Sequence, residues 1–189
     1  MKNAIFDLDY TIINFNSHYE VTLQYLKLTN KYKYFLYAFF YDSLLTKLIN
    51  RTLKVDFQRQ LSFFLLTYID DNVMKESVSE VLSKNRFNND VIALLNELSL
   101  DHNIYIATAC PYEIATLIGK KIKNVDRVFA TKISDKERDL IVGNKQEILR
   151  DKYNIDSNVF ISDNHEDFRD SIQDYYFVFN GKLFKRKFR

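Results

Sequence analysis

The chain has 189 residues, 47% of them hydrophobic and 28% charged, which is enough apolar material for one domain, or one with a small inserted domain. Its net charge of +2 gives no sign of a nucleic-acid partner, and its single cysteine excludes an internal disulfide and favours a reducing compartment, the cytoplasm. The longest apolar run, which includes Phe35 to Tyr41, is far shorter than the ~20 residues of a membrane span. We therefore expect no stable membrane insertion. We also expect no signal peptide, because Asp7 and Asp9 stand where its apolar core would lie.

The first predicted strand runs from Ala4 to Leu8, where apolar residues dominate. Two carboxylates, Asp7 and Asp9, stand at its end, and the hydroxyl of Thr11 follows two positions later. Residues two apart in an extended chain point the same way, so both acids should leave the carboxyl end of the strand together. Open α/β sheets bind ligands at that end, and two like charges there require a compensating cation or a catalytic purpose. A solvated loop of acids after an edge strand is the alternative for this segment alone.

Residues 16–87 show helical spacing of apolar side chains without a strand pattern, which predicts an all-helical insertion after the first strand. The pattern predicts four helices, centred on Val21–Leu28, Tyr34–Leu48, Phe57–Tyr68 and Val73–Leu82. The predicted domains are therefore a core of residues 1–15 and 88–189, and a helical domain of residues 16–87.

The second half alternates short strands with helices, which is typical of a parallel sheet covered by helices on both faces. Four strands are predicted, at Asn103–Ala107, Val128–Ala130, Val159–Ser162 and Tyr176–Phe179. Three helices accompany them, at Val91–Leu98, from Pro111 onward, and at Lys145–Tyr153 after a turn over Asp139–Asn144. Gly181 should turn the last strand into a hairpin with Leu183 and Phe184. The predicted fold class is α/β, a Rossmann-like three-layer core with a central, mostly parallel sheet and an inserted all-helical cap.

Polar side chains recur where the predicted strands end or a helix begins, namely at Asp7, Asp9, Thr108, Lys145 and Asp163. The ends of parallel strands meet at one edge of a sheet, so we expect a single crevice. This set suits phosphoryl transfer, because one carboxylate can attack phosphorus to form an aspartyl-phosphate while a second protonates the leaving alkoxide and then activates water. A magnesium ion would hold the acids together and neutralise the phosphate. The hydroxyl, the ammonium and N–H groups at a helix start would hold the remaining phosphate oxygens.

The order of these motifs resembles the haloacid dehalogenase (HAD) superfamily over essentially the whole chain. The motifs are Asp7-Leu8-Asp9-Tyr10-Thr11, Thr108 after a strand, Lys145, and Ser162-Asp163-Asn164 with Asp167. Three features resemble its phosphoserine-phosphatase-like branch. They are the helical insertion between the first two motifs, the run Ala107-Thr108-Ala109-Cys110-Pro111, and Gly143-Asn144-Lys145.

The resemblance implies roles for the acids. Asp7 would be the nucleophile and a Mg²⁺ ligand. Asp9 would be the general acid and base, with its backbone carbonyl on the metal. Asp163 would be the main metal acid of the last motif, and Asp167 would support the metal or the lysine.

The resemblance also implies how the phosphate is held. Thr108 and the amide of Ala109 would bind it, and Lys145 would neutralise it together with the nucleophile. Thr11 would shape the turn after the first strand rather than touch the substrate. Two residues depart from the family pattern, Ser162 in place of the usual Gly and Tyr10 in place of Gly or Asn, and both are expected to narrow the crevice.

These observations predict a magnesium-dependent phosphatase that hydrolyses a small phosphate monoester. A phosphotransferase of the same fold and a non-catalytic HAD-like binding protein remain as alternatives. Neither the identity of the substrate nor the oligomeric state can be read from the sequence.

The predicted cap contains seven aromatic residues between Tyr32 and Tyr41, flanked by Lys27, Lys31, Lys33, Lys47, Arg51 and Lys54. Three interpretations are open. The aromatic face can pack against the other helices of the cap, form a pocket for a substrate with an apolar part, or lie at a membrane interface.

Overall fold

The computed structural model describes residues 2–41, 43–53, 57–66, 68–84, 87–131, 145–167 and 174–186. The chain divides into two compact units, an α/β unit of Met1–Asn16 with Asn85–Arg189 and a helical unit of Ser17–Lys84. The predicted turn at Asp139–Asn144 lies outside the described residues, as do Gly143 and Asn144 of the lysine motif. Within the described ranges, no helix has the length and apolar character that crossing a membrane requires.

The described part of the helical unit consists of five helices. They are α1 (Ser17–Thr29), α2 (Lys31–Tyr41), α3 (Leu44–Leu53), α4 (Phe57–Leu65) and α5 (Asp71–Ser83). Helix α1 packs against α2, α4 and α5. Its Tyr25 hydroxyl accepts a hydrogen bond from the N–H of Asp70 at 3.0 Å, and the Asp70 carboxylate caps α5 by accepting from two of its first N–H groups.

The prediction of one continuous helix over Tyr34–Leu48 was wrong, because α2 ends at Tyr41 and a separate helix, α3, begins at Leu44. The Ser43 hydroxyl accepts a hydrogen bond from the N–H of Thr46 at 3.1 Å and donates to the carbonyl of Phe40 at 3.1 Å. Serine competes in this way for the backbone groups at helix ends, so it ends one helix and starts the next.

The α/β unit is built on a six-stranded sheet in the order β3-β2-β1-β4-β5-β6. The strands are β1 (Lys2–Phe6), β2 (His102–Pro111), β3 (Arg127–Thr131), β4 (Val159–Ser162), β5 (Asp174–Phe179) and β6 (Lys182–Arg186). All neighbouring pairs are parallel except β5 and β6, which form the expected hairpin. From β1 the chain builds outward through β2 and β3, then returns to place β4 on the other side of β1. This reversal creates a switch point between β1 and β4, where α/β sheets open a crevice beyond the strand ends.

Helices cover both faces of this sheet. They are α6 (Asn89–Leu98), α7 (Tyr112–Gly119) and α8 (Lys145–Tyr153). Helix α8 covers the face on which Leu149 packs into the buried cluster of Ile5, Ala107, Phe129, Phe160 and Tyr175. Helix α7 covers the opposite face, because Gly119 lies against Val128, whose side chain alternates with that of Phe129. The predicted fold class, a three-layer α/β core with a mostly parallel sheet, is confirmed.

Two strand boundaries differ from the prediction. Strand β1 ends at Phe6 rather than Leu8, because the Leu8 carbonyl accepts hydrogen bonds from the N–H groups of Thr11 and Ile13 and the chain turns there. Strand β2 continues to Pro111 instead of ending at Ala107, with an irregularity in its pairing with β3 after Thr108. Both boundaries depend on backbone hydrogen bonds, within the turn after Leu8 and between β2 and β3, which the apolar pattern does not contain.

Candidate active site

Regular periodicity brings Asp7 and Lys145 together. Ile5 of β1 and Leu149 of α8 share the buried cluster beneath the helix. Asp7 directly follows β1, and its N–H still donates to the Ile161 carbonyl of β4 at 2.9 Å, so it continues the alternation that begins at Ile5. Lys145 lies one helical turn before Leu149. The core contact between strand and helix therefore aligns the two charged groups at the carboxyl end of the sheet.

The centre of the site is a buried ion triad. The Nζ of Lys145 lies 2.5 Å from Oδ2 of Asp7 and 2.7 Å from Oδ2 of Asp167, and all three side chains are buried. Burial acts to lower the pKa of Lys145, but the two carboxylates outweigh this effect and raise the pKa above its ordinary value. The ammonium therefore stays charged between them. Burial raises the pKa of Asp7 by more than the ammonium lowers it.

Further side chains hold Asp167 in place. The Ser162 hydroxyl donates to Oδ2 of Asp167 at 2.6 Å, and the Gln146 amide donates to the Asp167 backbone carbonyl at 2.9 Å. The hydroxyl of Tyr175 lies 3.4 Å from the same carbonyl. Asp167 is therefore buried, and the contacts described here connect it to Lys145 and hold the loop after β4 in place. Sequence reasoning missed Gln146 and Tyr175, although the position of Gln146, directly after the lysine, was a usable signal.

Thr11 connects the loops that follow β1 and β4. Its hydroxyl accepts a hydrogen bond from the N–H of Asp163 at 3.0 Å, and its side chain is fully buried. Asp163 itself is partly exposed. Burial, followed by the charge of the nearby Asp7, raises the pKa of Asp163 to about 6. The charge of Asp7 therefore acts on Asp163, although burial is the larger cause of the shift.

Asp9 does not follow Asp7 along an extended strand. It lies in the turn after β1, where its backbone forms an isolated bridge with Ile13, and it is partly exposed. The expectation that one extended strand carries both acids was wrong, because the chain turns at Leu8, between them. Asp9 nevertheless stays in the loop that carries Asp7, two residues away.

Thr108 and Ala109 lie at the same edge of the sheet. Phe6 of β1 pairs with Ile106 of β2, so Thr108 follows that pair by two residues on the strand adjacent to Asp7. The buried Thr108 hydroxyl accepts a hydrogen bond from the N–H of Cys110 at 3.2 Å, which still allows its own O–H to be donated.

The acids in this site fit a divalent cation. Asp7, Asp163 and Asp167 contribute three negative charges when ionised, and only Lys145 among the residues named here opposes them. Mg²⁺ prefers oxygen ligands and commonly uses one or two carboxylates, completed by water and substrate phosphate. Among the described residues no three Asp, Glu, His or Cys side chains gather closely enough to hold a metal unaided. Asp7 and Asp163 could therefore hold the ion with a backbone carbonyl, such as that of Asp9.

A cavity of about 540 Å³ adjoins Asp163, lined on its other sides by Tyr10, Asn14, Phe179 and the Gly181 turn. Tyr10 has a positive φ of 55° and a half-exposed ring, so this departure from the family pattern does border the site. Ser162 is fully buried, and its hydroxyl donates to Asp167 and lies 3.5 Å from Oδ2 of Asp7; whether it narrows the crevice stays a prediction.

Comparison with known proteins assigns the chain to a family. The sequence profile of the haloacid dehalogenase-like hydrolases matches residues 4–169. The chain belongs to this family. The HAD resemblance inferred from the motif order is thereby confirmed, as is the expectation of a HAD-type hydrolase. A search among curated proteins finds no significantly similar sequence.

Solved structures share the HAD fold of this chain. A phosphoserine phosphohydrolase-like protein from Francisella tularensis is 20% identical, with a TM-score of 0.54, over 88% of this chain and 80% of the other. A protein of unknown function from Bordetella pertussis is 13% identical, with a TM-score of 0.63, over 88% and 83%. A probable phosphoserine phosphatase from Vibrio cholerae is 12% identical, with a TM-score of 0.55, over 88% and 52%. At these identities the likeness is one of fold.

Proposed function

We propose that this HAD-family protein is a magnesium-dependent phosphatase that hydrolyses a small phosphate monoester through an aspartyl-phosphate on Asp7. The observation that carries the proposal is the buried triad of Asp7, Lys145 and Asp167 at the β1–β4 switch point. A carboxylate with a raised pKa beside a charged ammonium is costly to bury, and such groups concentrate at functional sites.

In the first step Asp7 attacks phosphorus. One carboxylate oxygen forms the new P–O bond, the bond to the ester oxygen breaks, and Asp9 donates a proton to the departing alkoxide. Lys145 keeps Asp7 oriented and offsets the negative charge that accumulates as the phosphoryl group arrives. Its second bond, to Asp167, fixes the ammonium in this position.

In the second step water attacks the phosphorus of phospho-Asp7. Asp9, now ionised, removes a proton from that water, and cleavage of the P–O bond to Asp7 releases inorganic phosphate, which restores the carboxylate of Asp7 and the protonated carboxyl of Asp9. Thr108 and the amide of Ala109 would donate hydrogen bonds to the phosphate oxygens. Bound Mg²⁺, held by Asp7, Asp163 and the Asp9 carbonyl, would supply the positive charge that lets a phosphate dianion approach these acids.

The size of the cavity supports a small substrate. Its volume of about 540 Å³ beside Asp163 matches the range of pockets that enclose small organic molecules. The organic part of the ester would lie there, between polar groups such as Asn14 and the rings of Tyr10 and Phe179.

The test is hydrolysis of p-nitrophenyl phosphate by the full chain, with nitrophenol and inorganic phosphate measured together. We expect turnover with Mg²⁺, none after chelation, and recovery when Mg²⁺ is restored. Asp7→Asn should reduce turnover to background, whereas the matched surface change Asp156→Asn should retain it. Full activity in the Asp7→Asn variant would refute the assignment of Asp7 as the nucleophile. Less phosphate than nitrophenol in the presence of an added alcohol would indicate phosphotransfer instead of hydrolysis.

A further inference from the structure

The helical unit carries an exposed apolar surface that the proposed chemistry does not use. On α2 the side chains of Tyr32, Phe35 and Phe39 recur at helical spacing and are exposed, Phe39 to 71%. On α3, Leu44, Leu45 and Leu48 are also exposed, Leu44 to 86%. Soluble proteins rarely expose so many large apolar side chains on adjacent elements without a binding purpose. We define these six side chains as the apolar surface.

This surface is separate from the packed side of α2. Tyr37 is fully buried, and its ring and that of Tyr41 contact the ring of Tyr19 on α1, with centroids 5.9 Å and 4.0 Å apart. Tyr37 lies between Phe35 and Phe39 in sequence, so the helical twist turns it to the opposite side. The core of the helical unit is therefore complete without the exposed stripe.

The charges near the apolar surface in sequence are mostly positive. Between positions 21 and 53 the sequence has five Lys or Arg residues and a single acidic one, Asp42. The five cations are all exposed, and they are Lys27, Lys31, Lys33, Lys47 and Arg51. This excess of positive charge is local to residues 21–53, because the whole chain carries a net charge of only +2.

We propose that α2 and α3 bind the surface of an anionic lipid membrane, with the six apolar side chains at the boundary of headgroups and acyl chains. Interfacial helices combine Phe and Leu on one face with Lys and Arg beside them, as here. Protein–protein interfaces are depleted in lysine, which argues against a protein partner. The cations complement anionic headgroups, and each one near the surface contributes to the attraction. Binding of this kind requires no helix that spans the bilayer.

The absence of tryptophan from the chain provides a direct reporter. Phe39→Trp places a single indole in the apolar surface, and Phe184→Trp, at a half-exposed position of β6, is the matched control. Vesicles of phosphatidylcholine with about one third phosphatidylglycerol should shift the indole emission of the Phe39→Trp variant to the blue and leave that of the Phe184→Trp variant unchanged. Pure phosphatidylcholine should produce little shift, and about 0.5 M NaCl should reverse the anionic shift by screening.

Vesicle co-sedimentation of variants tests whether the cations and the apolar side chains each contribute to binding. The double variant Lys47→Gln with Arg51→Gln should weaken partitioning of the protein onto anionic vesicles roughly 30-fold, because each cation near the surface contributes about 1 kcal/mol. Leu44→Ser should weaken it roughly tenfold, while Leu100→Ser in the α/β unit, where Leu100 is 85% exposed, should not. Lys120→Gln with Lys121→Gln, two exposed cations after α7, is the charge control. Circular dichroism of each variant confirms its folding.

Three results would overturn the proposal. One is the absence of an emission shift in the Phe39→Trp variant with anionic vesicles at low salt, and another is equal binding of the Leu44→Ser and Leu100→Ser variants. The third is a dimer, detected by light scattering, that Leu44→Ser dissociates, because a second copy would then cover the surface. None of these results bears on the phosphatase assay, so this proposal and the proposed function fail independently.

Discussion

Replacing Lys145 by methionine tests the triad directly, since it removes the cation that lies between two buried carboxylates. The Oδ2 atoms of Asp7 and Asp167 both contact the Lys145 Nζ, at 2.5 Å and 2.7 Å, so they lie at most about 5 Å apart. At an effective dielectric constant of about 20, two unit charges at this separation repel by about 3 kcal/mol. We expect Lys145→Met to lower the free energy of unfolding by about that amount and to abolish turnover.

The assay is urea unfolding followed by circular dichroism, with a metal chelator present. Asp167→Asn alone should change the free energy of unfolding by about 1 kcal/mol or less, because the Lys145–Asp7 pair remains neutral. Combined with Lys145→Met, it should restore most of the lost stability, which gives a coupling energy of about 2–3 kcal/mol, close to the calculated repulsion. The control is Lys185→Met, which breaks an exposed pair with Asp174 at 3.1 Å and should cost less than about 1 kcal/mol. A double variant no more stable than Lys145→Met would refute the electrostatic reasoning.

Three further predictions concern pH, packing and substrate choice. Burial, with a smaller effect of the Arg59 guanidinium, lowers the pKa of His18 to about 3, so the unfolded chain binds a proton below pH 6.5 that the folded chain excludes. Relative to His18→Gln, the unaltered chain should therefore lose about 2 kcal/mol of its free energy of unfolding from pH 7.5 to pH 5, whereas its difference from His102→Gln should not change in this way, and urea titrations measure both differences. The comparison is needed because Asp163, whose pKa is raised to about 6, acts in the opposite direction in all three proteins. Gly119→Ala would bring a Cβ within 2.6 Å of the Val128 Cγ2, so it should lower thermal stability by about 1–3 kcal/mol, and most of this should return when Val128 becomes Ala. Phe179→Ala should raise KM for aryl phosphates several-fold, by about 1 kcal/mol of lost ring contact, without changing KM for glycerol phosphate, and equal changes for both would contradict a ring contact in the cavity.

The order of secondary structure elements was largely predictable, because it depends on interactions between close neighbours in the chain. Asn88 is an example, since its side chain caps α6 by accepting from the N–H of Val91. The apolar periodicity of α1, α5 and α8 likewise appears in the sequence without knowledge of the partner elements. The break at Ser43 was missed because a serine inside an apolar run fits both a continuous helix and a cap.

Roles that depend on one side chain meeting another were less predictable. Ser162 was expected only to narrow the crevice, but the structure reveals that its hydroxyl donates to Asp167 and lies 3.5 Å from Asp7. The pleat of β4 and the turn after it decide which way the hydroxyl points. The involvement of the Tyr175 hydroxyl requires β5 to pair beside β4 in a particular register, with Ser162 opposite Phe177. Local patterns in the sequence do not specify that register.

The sequence by itself determined which chemical groups this protein has and the order in which they occur at strand and helix ends. The reason is that apolar periodicity, and the polar residues that end strands and helices, are local properties of the chain. Only the tertiary structure decided that Lys145 contacts Asp7, 138 positions away in the chain, and that Asp167 shares the same ammonium. The physical reason is that such contacts follow from the packing of α8 on the sheet. That packing is determined by the combined burial of Ile5, Leu149 and their neighbours rather than by any one segment.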